Sequence, residues 1–216
     1  MKRLFLASSI NVTAKDIAKQ IGKEKSLKTA FISTAAEPED PNDMEWLKND
    51  RNGLIEAGFD LFDYTITNKT PEQIEEDLQD CKVIHVNGGN SFYLLLQARK
   101  SGFDKFIKKF VEEGGIYIGS SAGSIIASPN ISIRLEEDVK EYEDKLKTFE
   151  AFNLVNFITY PHWANEFFKE RYFDHRLEDS YITGNKIIIL TDSQYILVED
   201  DMYKIIDVEE KPTFSN

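Results

Sequence analysis

The chain has 216 residues and a formal net charge of −12, with 26 Lys and Arg against 38 Asp and Glu. An acidic chain is repelled by nucleic-acid phosphates and by anionic membrane surfaces, so we expect neither as a partner. Hydrophobic residues make up 41% and charged residues 30%, which is ordinary for a globular protein with a substantial core. We therefore expect residues 1–216 to form a single domain.

The cysteine and histidine content narrows the chemistry further. Cys81 is the one cysteine, so no intrachain disulfide can form, which fits a reducing cytoplasm. The apolar run after Met1 is only about four residues long, too short for a signal peptide, and no run approaches the roughly 20 residues of a membrane span. No pair of the three histidines has the spacing of metal ligands. We therefore expect a cytoplasmic protein without a metal ion or other cofactor.

Strand-like apolar runs alternate with helical patterns up to residue 127. Strands separated by helices of this length are typical of β-α-β units, so the pattern predicts a mostly parallel sheet sandwiched by helices. The predicted strands are Arg3–Ala7, Lys28–Thr34, Phe59–Tyr64, Lys82–Val86 and the apolar run that ends at Gly119. The predicted helices are Ala14–Gly22 (capped by Asn11-Val12-Thr13), Asp43–Ala57, Thr70 to about Leu78, Ser91–Lys100 and Gly102–Glu113.

The second half of the chain is less regular. Ile131–Leu135 alternates like a strand with one buried face, whereas the highly charged Glu136–Glu150 predicts a solvated loop or short helix. Asp200-Asp201 lies between two strand-like runs and predicts a C-terminal β-hairpin. The other predicted elements are a strand over Asn156–Tyr160, a helix over Glu166–Leu177, and strands over Lys186–Leu190, Tyr195–Glu199 and Met202–Ile206.

One short motif carries a chemical signal. The run Gly119-Ser120-Ser121-Ala122-Gly123 fits G-x-S-x-G between an apolar strand and a helix. This pattern holds its central serine on a sharp bend above the carboxyl end of a sheet, and side chains at the flanking positions would collide with neighbouring backbone. The bend also lies at a helix N-terminus, which favours an oxyanion. We therefore predict that Ser121 is a nucleophile and that Ser120 is a turn residue.

A serine nucleophile needs a base and an orienting carboxylate at the same edge of the sheet. His162 follows the strand that ends at Tyr160 and is the predicted base. The other histidines fit less well, because His85 lies inside an apolar strand and His175 in a polar stretch. The acidic run 136–138, after another strand, is the predicted source of the carboxylate.

Two backbone N–H groups are predicted to stabilise the oxyanion. One belongs to Ala122, immediately after the nucleophile, and the other to the turn Gly88-Gly89 after the fourth strand. Glycine suits this place because the backbone must come close to the substrate, and the loss of one such donor typically costs about a hundredfold in rate.

Three segments together resemble the peptidase E (S51) family, which contains aspartyl dipeptidases and has the cyanophycinases as relatives. They are Val86–Phe92, Gly115–Gly123 and Pro161-His162, and the likeness follows the order of strands and motifs along nearly the whole chain. The resemblance implies a class I glutamine-amidotransferase-like (flavodoxin-like) α/β sandwich and a serine peptidase that requires no cofactor. It also implies roles for single residues: Ser121 matches the family nucleophile, His162 the base, and Gly89 and Ala122 the oxyanion donors.

The third member of the triad is less clear from the resemblance. Peptidase E has Asp in the segment after the nucleophile helix, and cyanophycinase-like members have Glu. Ungapped spacing from the serine falls on Glu136, and one small insertion would move the match to Glu137 or Asp138. We expect Glu136, because the alternation Ser132, Arg134, Glu136 places it on one strand face.

The resemblance further implies a small peptide substrate, with dipeptides that begin with Asp as one class. Recognition of that aspartate needs a cation, and Arg134 and Arg171 are the candidates. Ser120 stands where peptidase E usually has a bulkier residue, which indicates a divergent pocket. Two alternatives stay open: another acyl hydrolase acting on an ester or amide, and a non-catalytic ligand-binding protein with the same fold. An exposed edge strand near the C-terminus suggests a homodimer.

Overall fold

The computed structural model describes residues 1–22, 27–131, 136–171, 184 and 186–209, with the backbone alone for 136–139, 170 and 171. The strands in these ranges are β1 (Arg3–Ala7), β2 (Lys28–Ile32), β3 (Asp60–Tyr64), β4 (Val83–Val86), β5 (Ile116–Ser120), β6 (Ile158–Tyr160), β7 (Ile187–Ile189), β8 (Gln194–Glu199) and β9 (Met202–Asp207). The helices are α1 (Ile10–Ile21), α2 (Glu45–Glu56), α3 (Pro71–Leu78), α4 (Ser91–Ser101), α5 (Phe103–Glu112), α6 (Ala122–Ile126), α7 (Glu136–Leu146) and α8 (Glu166–Arg171), with a 3-10 turn over Thr34–Ala36.

Seven strands form one sheet in the order β3-β2-β4-β5-β1-β8-β9. The first five are parallel to one another, whereas β8 runs antiparallel to β1 and β9 antiparallel to β8. The predicted α/β fold with a mostly parallel sheet is therefore confirmed, as is the C-terminal hairpin. Strands β6 and β7 form a separate parallel pair, in which Tyr160 lies opposite Ile189.

The interior strands of the sheet are buried on both faces, whereas the edge strands β3 and β9 are partly exposed. The alternation along β1 shows this: Leu4 and Leu6 belong to one apolar cluster, and Phe5 and Ala7 to the other. All four are 0% exposed. Burying a side chain of the Leu or Phe type stabilises the fold by about 1.5–3 kcal/mol, so the central strand that reaches the site is also one of the best anchored.

Two helices differ from their predicted bounds. Helix α1 begins at Ile10 with Ser9 as its cap, four residues before the predicted start. A tertiary contact explains the difference, because the first helical N–H, on Ile10, is bonded by Ser120 Oγ at 3.1 Å. The charged stretch after residue 135 forms helix α7 through Leu146. None of the helices in the described ranges is long and apolar enough to cross a membrane.

Other predicted elements are described only in part. The predicted strand Ile131–Leu135 falls mostly on residues 132–135, which lie outside the described residues, and Ile131 itself is not in a strand. The helix predicted over Glu166–Leu177 is described as far as Arg171.

Candidate active site

Ser121 stands on a strained bend between β5 and α6. Its backbone has φ 50° and ψ −113°, values that L-residues with a side chain rarely adopt. A backbone hydrogen bond to the end of β1 holds the bend, since Ser121 N donates to Ala7 O at 3.1 Å. A Cβ on Gly123 would lie 1.9 Å from Val86 O, so only glycine lets the helix cross β4 this closely. The predicted strand-to-helix bend with small flanking residues is thus what the chain forms.

His162 follows β6, in the separate pair β6-β7, and its imidazole faces the nucleophile. Its Nε2 lies 2.9 Å from Ser121 Oγ. Its backbone is also left-handed, with φ 63°, and its N–H donates to Ser8 Oγ at 2.7 Å. The ring of Phe168 stacks on the imidazole with centroids 4.5 Å apart, which covers one face of the ring. The structure therefore brings together the two residues predicted as nucleophile and base.

Asp192 lies in the loop between β7 and β8. It completes a hydrogen-bonded chain from Ser121 through His162 to Asp192, which we call the relay. Its Oδ1 lies 2.6 Å from His162 Nδ1. Since a carboxylate only accepts, Nδ1 carries the proton and Nε2 is left with the lone pair that accepts from the Ser121 hydroxyl. Partial burial would by itself raise the pKa of Asp192, but hydrogen bonds from His162, Asn165 and Ser8 outweigh it and lower the pKa to about 2. Asp192 is therefore ionised at neutral pH, as the role of orienting acid requires.

The place predicted for Glu136 is thus held by Asp192. An imidazole Nδ1–H donates one strong hydrogen bond, and at 2.6 Å this one is taken by Asp192. Glu136 is the first residue of α7, and its side chain lies outside the described part of the structure, as do those of Glu137 and Asp138. We therefore take Asp192 into the proposed triad, and the role predicted for Glu136 stays a prediction.

The predicted oxyanion turn lies directly beside the nucleophile. A Cβ on Gly88 would stand 3.2 Å from Ser121 Cβ, and one on Gly89 would stand 2.2 Å from Ala35 O. Gly89 has φ 125°, which also favours glycine. Among the described residues, none accepts a hydrogen bond from the backbone N–H of Gly89 or of Ala122. Both predicted donors therefore have no acceptor for their N–H within the described ranges, and the peptide joining Gly88 to Gly89 lies next to Ser121.

Helix α2 forms one wall of the site, a feature that the sequence did not indicate. Trp46 lies 3.6 Å from where a Gly88 Cβ would be, a position that Ser121 also approaches. Asp50, one turn later on the same helix, is 9% exposed. Burial raises the pKa of Asp50 to about 6, although the side chain of Asn87, the backbone of Asn11 and the charge of His162 all favour its ionised form. The site therefore holds a second carboxyl group besides Asp192, and the pKa of this second group is about 6.

The remaining candidates separate into structural residues and undescribed ones. Ser120 is buried and holds the start of α1, which agrees with its predicted role in the turn. His85 is fully buried with Nε2 3.0 Å from Asn87 Oδ1, and burial lowers the pKa of His85 to about 4, so it is neutral. His175, Arg134 and the side chain of Arg171 lie outside the described residues.

The arrangement can perform nucleophilic acyl transfer. A hydroxyl, an imidazole and an ionised carboxylate follow one another within hydrogen-bond distance, beside two N–H groups that have no acceptor among the described residues. In the described part of the chain, no three His, Cys, Asp or Glu side chains form a group that could hold a metal ion. In such an arrangement the serine hydroxyl attacks a carbonyl carbon and the imidazole takes its proton.

Comparison with known proteins agrees with this chemistry. The model of peptidase family S51 matches residues 4–206. An uncharacterized peptidase of Pasteurella multocida is 30% identical over 201 residues, covering 93% of this chain and 95% of that protein. One of Listeria innocua is 29% identical over 201 residues, covering 93% and 94%. The crystal structure of a putative peptidase E protein from Listeria monocytogenes superposes with a TM-score of 0.84 at 28% identity, covering 97% of this chain and all of the other.

Proposed function

Because this chain belongs to peptidase family S51 and is a serine-type hydrolase, we propose that it hydrolyses short peptides through Ser121, His162 and Asp192. The observation that carries the proposal is the continuous relay from Ser121 Oγ to His162 Nε2 at 2.9 Å and from His162 Nδ1 to Asp192 Oδ1 at 2.6 Å. The expectation that Glu136 serves as the triad acid is not retained in this proposal.

The first half-reaction is acylation. As Ser121 Oγ attacks the scissile carbonyl carbon, His162 Nε2 takes the hydroxyl proton, and the imidazolium that forms is stabilised by the carboxylate of Asp192. The same proton then passes from Nε2 to the departing amine, the C–N bond breaks, and the acyl group remains as an ester on Ser121. Because Asp192 holds Nδ1–H at 2.6 Å, the imidazole is already the correct tautomer before substrate arrives.

Deacylation uses the same groups in reverse roles. Water gives a proton to Nε2 and attacks the ester, and the proton returns to Ser121 Oγ as the second product leaves. In both halves the negative charge on the carbonyl oxygen is stabilised by the N–H groups of Ala122 and Gly89. Neither N–H donates to a described residue, so no hydrogen bond within the described residues has to break first.

Within short peptides, the substrate class that we propose is dipeptides with an N-terminal Asp, as the likeness to aspartyl dipeptidases suggests. Such a substrate brings a carboxylate to a site that already has Asp50 and Asp192, and the whole chain carries a net charge of −12. A cation is therefore needed nearby, and Arg134 and Arg171 remain the candidates.

The test is hydrolysis of a panel of Asp-X dipeptides beside neutral dipeptides and a p-nitrophenyl ester, with Ser121→Ala and Ser120→Ala as a matched pair. We expect the wild type and Ser120→Ala to release amino acids and Ser121→Ala to be inactive. Equal turnover by wild type and Ser121→Ala would refute the role of the nucleophile. Turnover of the ester with none of any dipeptide would move the function to another acyl hydrolase.

Three wider expectations belong to the same proposal. The family match over residues 4–206 supports one catalytic domain spanning the chain. The single cysteine, buried at Cys81, fits the reducing cytoplasm. A homodimer would use the edge strand β9, where Met202 and Ile205 are exposed, and sedimentation velocity at increasing protein concentration tests it.

A further inference from the structure

The end of β1 touches all three members of the relay. Ala7 O accepts the backbone N–H of Ser121 at 3.1 Å. The next residue, Ser8, accepts the backbone N–H of His162 on its Oγ at 2.7 Å and donates from the same Oγ to Asp192 Oδ1 at 3.0 Å. Ala7, the last residue of β1, and Ser8 after it thus connect three segments that are far apart in the chain.

The geometry at Ser8 leaves its hydroxyl no freedom. The side chain is 0% exposed, and a hydroxyl has one proton to donate. That proton goes to Asp192, because the other partner is itself an N–H donor, and the oxygen lone pair faces His162 N. The hydroxyl can therefore satisfy both partners in one arrangement only, which fixes the distance between the base and its acid.

The loop that carries the base is strained where Ser8 holds it. His162 and Ala164 have φ values of 63° and 66°, in the left-handed region that residues with a Cβ usually avoid. Such a backbone persists where surrounding contacts over-determine it. The contacts here are Ser8 Oγ on His162 N, and Asn165, whose N donates to His162 O at 3.2 Å and whose Nδ2 donates to Asp192 Oδ2 at 2.9 Å.

We propose that Ser8 is a positioning residue of this active site, which sets the orientation of the His162 imidazole by holding its backbone and its carboxylate partner at once. This inference rests on the proposed function, because the orientation of His162 affects a rate only if Ser121, His162 and Asp192 act as a catalytic triad. Ser8 touches neither the nucleophile's hydroxyl nor the reacting carbonyl, so its effect is exerted through His162 and Asp192.

The experiment compares Ser8→Ala with Ser101→Ala, a matched loss of a buried hydroxyl. Ser101 is 1% exposed, and its hydroxyl bonds Ala98 O and Phe103 N at the α4–α5 corner, away from the relay. Ser8→Cys nearly keeps the volume with a weak donor, and Ser8→Thr keeps the hydroxyl. The readouts are the rate at which a fluorophosphonate probe labels Ser121, kcat and KM on the best substrate, and the low-field proton resonance of His162 Nδ1–H.

Ser8→Ala should label about tenfold to a hundredfold more slowly, since small misplacement of a catalytic group can cost about a hundredfold. The loss should fall on kcat with KM unchanged, and the Nδ1–H resonance should move or broaden. Ser8→Cys should show a smaller loss, Ser8→Thr should restore the rate, and Ser101→Ala should change neither rate nor resonance.

The proposal fails if Ser8→Ala labels within twofold of the wild type or leaves the resonance in place. If Ser8→Ala does not fold, wild-type behaviour of Ser8→Cys overturns it equally. Failure of the peptidase proposal looks different. A wild type that is labelled at Ser121 but cleaves no peptide overturns that function and not the role of Ser8. If the probe does not label the wild type at all, the shift of the His162 Nδ1–H resonance in Ser8→Ala alone decides whether Ser8 positions His162.

Discussion

Replacing Asp192 by Asn separates the structural assignment of the triad acid from the one that the sequence suggested. Three donors converge on this carboxylate: His162 Nδ1 and Ser8 Oγ on Oδ1, and Asn165 Nδ2 on Oδ2. An Asn side chain has the same shape but presents an NH₂ group on one side, so at least one of the three donors loses its acceptor. It also removes the charge that stabilises the imidazolium.

The expected loss in kcat for Asp192→Asn is about 10³–10⁴-fold, as for other triad acids, or about 4–5.5 kcal/mol of transition-state stabilisation. A smaller loss of folding stability should accompany it. The pKa of Asp192 falls from 3.8 to about 2, which would give about 2 kcal/mol, and since the side chain is 36% exposed we expect about 1 kcal/mol. That contribution is present above pH 4 and is lost as the pH falls through 2, because the folded state favours the ionised form.

Glu136→Gln is the matched control, since Glu136 is the acid that the sequence indicated. The assay is fluorophosphonate labelling of Ser121, together with kcat on the best substrate, for both variants in one buffer at pH 7. We expect Glu136→Gln to stay within threefold of the wild type. A loss below tenfold in Asp192→Asn, or a larger loss in Glu136→Gln than in Asp192→Asn, would refute the assignment.

Three other variants test the fold around the site. Asp50→Asn should stabilise the protein by up to about 3 kcal/mol at pH 8, because burial raises the pKa of Asp50 from 3.8 to about 6 and the cost of its charge builds up as the pH rises between these two values. Urea unfolding should show the gain vanish below about pH 4, and an equal effect at both pH values would contradict it. Gly123→Ala should cost more than 3 kcal/mol or prevent folding, as its Cβ would lie 1.9 Å from Val86 O; a melting temperature within about 5 °C of the wild type would rule this out. Arg99→Ala removes hydrogen bonds to three carbonyls in the segment 146–150, and calorimetry should show a loss of about 2 kcal/mol; no loss would mean that the segment is held by its apolar contacts alone.

Much of the fold could be predicted from the sequence because periodicity is a local signal. Four of the five parallel strands, β1, β2, β4 and β5, are mostly apolar and buried runs, as burial on both faces demands, whereas β3 lies at the sheet edge and is partly exposed. Helix ends were predicted less well. The start of α1 depends on Ser120, 110 residues away, whose hydroxyl bonds the first helical N–H, and no local pattern contains that contact.

The site divides in a similar way. Ser121 follows β5 of the main sheet, so the rule that places ligands at the carboxyl ends of parallel strands finds this residue. His162 also follows a strand, but β6 pairs with β7 outside the main sheet, so its position beside Ser121 comes from tertiary packing. Trp46 and Asp50 were missed because they lie on a helix face that closes over the site from outside the sheet. The packing of a helix over a sheet edge is a tertiary property, and the sequence pattern of α2 shows only that one side of it is apolar.

The strand direction explains why Asp192 was not predicted. Site residues follow the strands in a parallel sheet, and Asp192 instead precedes β8. Strand β8, however, is antiparallel to β1, with Ala7 opposite Tyr195, so its first residues lie at the edge where the parallel strands end. The loop before β8, and not the turn after it, therefore reaches the base. The predicted hairpin with β9 already required one of its two strands to run against the parallel sheet, so once β8 is placed next to β1, the residues before it become candidates for the triad acid. Asp192 is the one carboxylate between Lys186 and Gln194.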